Sequence, residues 1–260
     1  GTYVEQAVVD EEKKKKSKKQ KEEKTKGEEK SEGETKSEGE KKPDAEKTRI
    51  TWYLDTREMG FRQRGFILRV REEKPGEFEL NLKFRGPDRY IAAAQDVSTA
   101  VEAKNNKFEE DVLPPFRGQF SRSATVETPS IPAPPDVRRV AEVFPGLGAL
   151  GLPGDTEVEV ANGFKAFEVV RRIGGFRTGE GPTVTMSLSF WYLRGQKLGF
   201  PMVGEFSFDY DALETQKGDL EQFPLETVKL AERVFRALQL QSGWLDLEGT
   251  TKSAFAVSGL

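Results

Sequence analysis

Two segments alternate charge with bulky apolar residues, and that period of two sets what the middle of the chain can become. In Phe66-Ile67-Leu68-Arg69-Val70-Arg71 the arginines alternate with Leu68 and Val70, and in Glu79-Leu80-Asn81-Leu82-Lys83-Phe84-Arg85 the polar residues alternate with Leu80, Leu82 and Phe84. Successive side chains of a strand point to opposite faces, so each segment has one apolar face and one charged face. An antiparallel sheet with its charges in water produces this pattern. A barrel with its charged faces turned into a central channel produces it too, and such a channel would hold an anion. The alternation by itself leaves both open.

The same period extends along the chain. Strands are expected at residues 49–54, 66–71, 79–85, 107–113, 156–161, 167–173, 183–192 and 202–210, with Lys74-Pro75-Gly76 as a turn. Lys107, Glu109 and Asp111 share a face. In 167–173 the polar face is either Glu168 with Arg172 or Arg171 alone. Glu205, Ser207 and Asp209 alternate with Phe206, Phe208 and Tyr210. The proline-rich stretch 128–135 reads as a loop. Asp136 to Phe144 has helical spacing and is expected to stop at Pro145-Gly146. A second helix opens at Pro224 and carries Leu225, Val228, Ala231, Val234, Phe235 and Leu238 on one stripe. A last segment, 250–255, carries Lys252. Gly-rich turns between strands predict antiparallel meanders, not βαβ units.

Residues 11–47 are nearly all Lys, Glu, Gly, Ser and Thr, and too little apolar surface is present there to offset chain entropy. The tract is expected to be a disordered linker. It holds 14 of the 41 basic and 12 of the 44 acidic residues, so the remainder is net acidic and gives no nucleic-acid signal. The domain reading is a possible isolated first strand at 1–10, the linker at 11–47 and one folded domain at 48–260.

The chain has no Cys and no His. Disulfides, thiolate chemistry, imidazole bases and imidazole metal ligands are excluded. Any catalysis has to use carboxylates, Lys, Arg, hydroxyls and hard metals. If the charged faces converge, Arg forks and Lys would grip phosphate oxygens, and carboxylates would hold a divalent ion and orient water. Phosphoryl transfer asks for little covalent help from the protein, so a site without His suffices.

Several segments in order carry a family resemblance. Tyr53-Leu54-Asp55-Thr56, then Gln63-Arg64-Gly65-Phe66-Ile67-Leu68-Arg69-Val70-Arg71, then Leu80-Asn81-Leu82-Lys83 resemble the CYTH domain, the triphosphate tunnel metalloenzyme superfamily. Phe108-Glu109-Glu110-Asp111, Gly204-Glu205-Phe206-Ser207-Phe208 and Gly243-Trp244 through Thr251-Lys252-Ser253 look like its later segments, so the resemblance spans about residues 50–255. It implies an α+β fold: an antiparallel eight-stranded β-barrel forming a tunnel, with helices packed outside. It also implies Mg2+ or Mn2+ and a triphosphate substrate. By motif, Arg69, Arg71 and Lys83 match phosphate-binding cations, Glu109 and Glu205 match tunnel carboxylates, Arg172 or else Arg171 matches a cation on a later strand, and Lys252 matches a late basic residue. The family's first strand, Glu-x-Glu-x-Lys, has no counterpart beyond Val4-Glu5-Gln6-Ala7-Val8, and Ser187 and Ser189 stand where relatives have carboxylates.

The expected function is a metal-dependent phosphohydrolase acting on an inorganic or organic triphosphate. Glu109 and Glu205 would be catalytic. Arg69, Arg71, Lys83, Arg85, Lys107, Arg171, Arg172 and Lys252 would bind phosphate, and Glu109, Asp111, Glu205 and Asp209 would hold the metal. The alternatives are a tunnel that binds polyphosphate or nucleotide phosphates without turnover, and a purely structural barrel. The expected partner is a triphosphate-containing small molecule or polyphosphate; nucleic acid is expected only as a 5′-triphosphate end. No stretch approaches the ~20 apolar residues of a membrane helix, no signal peptide is read, and the location is expected to be cytoplasmic.

Overall fold

The computed structural model describes residues 46–131, 135–179, 181–193, 199–212, 223–241 and 243–258, together with the backbone course of 2–8. The linker read at 11–47 lies almost wholly outside the described residues.

Eight antiparallel strands form one continuous curled sheet. They are β2 (Lys47–Thr56), β3 (Phe66–Lys74), β4 (Glu77–Gly86), β5 (Asn105–Leu113), β6 (Arg117–Thr128), β7 (Val158–Arg177), β8 (Thr183–Leu193) and β9 (Val203–Asp211). Their order is β5-β6-β4-β3-β2-β7-β8-β9. The backbone of β1 (Thr2–Val8) pairs antiparallel with β5 and parallel with β9, which is the one parallel ladder among these strands. An all-antiparallel arrangement was expected; the parallel pair arises because β1 and β9 are far apart in sequence and need no hairpin.

The period-two faces decide the packing. Leu68, Val70, Leu80, Leu82, Ala124 and Val126 are buried on the outer face of the curl, against Ala92, Val97, Val137, Val140, Phe144 and Leu147. Those partners come from α1 (Arg89–Ala94), α2 (Val137–Ala141), α3 (Pro145–Gly148) and adjoining loops. Burial of each such large side chain contributes about 1.5–3 kcal/mol. A second apolar cluster joins Val184, Phe208 and Tyr210 to Ala231 and Phe235 of α4 (Leu225–Gln239). The apolar faces therefore look outward onto helices, and the charged faces look into the curl.

Helix α5 (Lys252–Ser258) departs from the expectation that helices pack outside. Ala256 and Phe255 pack with Tyr53, Phe164, Ala166 and Trp191, and Lys252 reaches inner-face residues of β7, β8 and β9. The segment was too short for its type to be read from periodicity.

Three further differences have local causes. Strand β6 was not foreseen, because its inner positions are Ser121, Ser123 and Thr125 and its outer ones are partly small, so hydrophobic alternation is weak. The two strands expected at 156–161 and 167–173 are one 20-residue strand. Asn162 and Gly163 adopt φ of 52° and 64°, and the β2 register shifts opposite them, so the strand bends there without ending. Pro145 opens α3 instead of ending a longer helix, since proline is well suited to a first helical position.

Among the described residues, no helix is long and apolar enough to cross a membrane.

Candidate functional site

The inner face encloses a cavity of about 320 Å³. Eight basic side chains and five carboxylates line it, so the described wall is net cationic. Local chemistry sets the positions of the two arginines. Asp55 accepts from the backbone N–H groups of Thr56, Phe61 and Arg62 and so folds the chain tightly after β2. Gly65 then takes φ of 82°, where a Cβ would meet the Phe84 ring at 2.5 Å, and the chain enters β3 in the register that turns Arg69 and Arg71 inward.

Of the cations expected to bind phosphate, Arg69, Arg71, Lys83, Arg85, Lys107 and Lys252 line the cavity. Arg171 does not: it points out of the sheet and pairs with Glu46 at 2.6 Å. The alternative left open for this strand is settled by Glu168, whose side chain is fully buried on the inner side. Arg172 and Asp209 are exposed and stand outside the cavity lining.

The expected carboxylates Glu109, Asp111 and Glu205 are 2%, 1% and 5% exposed. Each meets a cation. Lys83 Nζ donates to Glu109 at 2.7 Å, Arg85 lies 2.5 Å from Asp111, and Lys252 Nζ lies 2.9 Å from Glu205. Among the described residues, no group of three or more Asp or Glu side chains could hold a metal ion.

Sequence reasoning passed over Arg49, and weighed Glu168 as a face-mate of Arg172 without giving it a role in the site. Arg49 Nε donates to Glu168 Oε2 at 2.6 Å, and Thr51 Oγ1 donates to the same oxygen at 2.9 Å. Arg49, Thr51 and Tyr53 alternate in β2 as the charged residues do in β3, and that alternation was the available signal. Burial alone would raise the Glu168 carboxyl, but Lys252, Arg71 and Arg49 hold it well below the usual carboxylate range.

The arginines are crowded in the opposite sense. Burial, with Arg69 and Arg49 nearby, lowers the Arg71 guanidinium to about 10. The buried Nε atoms of Arg69 and Arg71 have no hydrogen-bond partner among the described residues. Arg71 has Glu79 at 3.5 Å and Glu168 at 4.0 Å, whereas no described carboxylate pairs with Arg69. This arrangement can receive an anion: its donors are buried, its cations repel one another, and one makes no salt bridge to a described carboxylate.

No protein-family model matches the chain, and no curated protein matches it. Among solved structures, it is similar to the crystal structure of a Bacillus halodurans protein provisionally described as an adenylate cyclase. The identity is 12%, 81% of each chain is covered, and the TM-score is 0.37.

Proposed function

We propose that this protein binds a polyphosphate chain, of the triphosphate type, inside a cationic β-tunnel. The observation that carries the reading is Arg69: an inward guanidinium beside the depressed Arg71, with its buried Nε unbonded and no salt bridge to a described carboxylate. Phosphate oxygens would accept from these two forks bidentately. Lys83, Arg85, Lys107 and Lys252 would take further phosphates of the same chain. The tunnel reading is supported by β1, whose backbone pairs with β5 and with β9. A chain of phosphates suits several cations along one wall better than a single monoanion does.

Binding is favoured over turnover because the inner carboxylates already face ammonium or guanidinium groups. The test is calorimetry with sodium tripolyphosphate in metal-free buffer. Saturable binding is expected; no heat and no melting shift at millimolar ligand would sink the reading.

A second reading, metal-assisted hydrolysis of the same ligand, is favoured by one feature of the backbone. The β1 register sets Glu5 opposite Asp111 on one side and Asp209 on the other. Release of phosphate from tripolyphosphate with Mn2+ or Mg2+, abolished in Lys83→Ala, would support it.

A further inference from the structure

Glu168 is the most deeply buried charge among the described residues and contacts the cavity-lining Arg49 and Lys252, and nothing in the binding of an anion calls for a carboxylate there. Its contacts explain its presence. Oε2 accepts from Arg49 and Thr51 of β2, with Arg71 of β3 at 4.0 Å. Oε1 accepts from Ser189 of β8 at 2.9 Å and from Lys252 of α5 at 3.0 Å. An ionised carboxylate offers about four lone-pair sites, and four donors use them. One oxygen thus gathers the sheet arginines, and the other holds the helix that lines the cavity.

We propose that Glu168 is a positioning residue of the anion site: it fixes Arg49 and Arg71 in the wall and latches α5 into the curl through Lys252. The proposal rests on the anion-binding reading. Its weight comes from a conflict of sign. A carboxylate beside a polyanion repels it, so if Glu168 were only a counter-charge, removing the charge would tighten binding. If Glu168 positions the cations, removal loosens binding, because the guanidinium and ammonium groups lose their common acceptor. In Glu168→Gln the amide brings donors against donors, so one cation must move away.

The experiment uses the full chain. Tripolyphosphate affinity is measured by calorimetry without metal, and amide hydrogen exchange is followed across Lys252–Ser258. For Glu168→Gln a Kd raised about tenfold or more is expected, with faster exchange in α5. Ser189→Ala removes only the hydroxyl that touches both Glu168 and Lys252; it should move both readouts the same way by less, and it decides the matter if Glu168→Gln fails to fold. Equal or tighter binding with unchanged α5 exchange overturns the proposal. Failure of the unaltered protein to bind overturns the anion reading instead, while unchanged α5 exchange in the variants separately removes the latch.

Discussion

Lys252 Nζ lies 3.0 Å from Glu168 Oε1, joining residues 84 positions apart in the chain. The same ammonium lies 2.9 Å from Glu205, so one lysine of the C-terminal helix ties two strands of the inner wall. Burial opposes the charge of Lys252, but Glu205 and Glu168 hold its proton more tightly than an ordinary lysine does. Each partner is costly to bury alone and affordable only in the other's presence.

That coupling gives stability a specific pH dependence. The folded Glu168 carboxyl titrates well below its ordinary value of 4.5. The unfolded chain therefore binds a proton there before the folded one does. The contribution is fully present above the ordinary value and is lost as pH falls through the folded value. Urea unfolding of the native chain should weaken as pH drops below 4.5, and Glu168→Gln should show a shallower decline over the same range.

Arg69→Ala should separate binding from stability. It removes a cation with no described ion-pair partner and relieves the crowding on Arg71. Tripolyphosphate Kd should rise about ten- to hundredfold, the loss of one or two charge-assisted bonds. The melting temperature should stay level or rise slightly. A large fall in melting temperature would mean that Arg69 holds the wall together instead.

Tripolyphosphate binding should not require a divalent ion. Affinity measured in excess EDTA should match that in Mn2+ after allowance for the ligand's own metal binding. A strict requirement for Mn2+ or Mg2+ would move the balance to the hydrolytic reading and to the row of Asp111, Glu5 and Asp209.

Phe235→Ala should do the reverse of Arg69→Ala. Phe235 is fully buried between α4 and the outer face of β9, edge-on to Phe208. The truncation should cost about 3–5 kcal/mol in chemical denaturation. Tripolyphosphate affinity of the folded fraction should hold, because the inner wall is untouched.

Much of this was legible in the chain itself. The alternation of Arg69 and Arg71 with Leu68 and Val70 placed all four in one strand and put the arginines on a common face. The same argument put Lys83 with Arg85, and Glu109 with Asp111. The amphipathic stripe after Pro224 gave α4. Strand β6 was not legible, because Ser121, Ser123 and Thr125 give no hydrophobic period. Arg49 was hidden at the start of a strand that otherwise reads as apolar and aromatic.

What the sequence determined by itself is which residues share a face, since strand geometry alternates side chains whatever lies around them. It could not say which face is inside. For a flat sheet, charge goes to water; for a curled one, the apolar face can instead be covered by helices. The tertiary structure decided for the second, with Val137, Val140, Phe144 and Phe235 covering the outer face. It alone also separated Arg171, turned outward to Glu46, from Glu168, turned inward to Arg49 and Lys252. The physical reason is one of distance along the chain: an ion pair between residues 84 apart is set by how the sheet curls, and no local pattern encodes that.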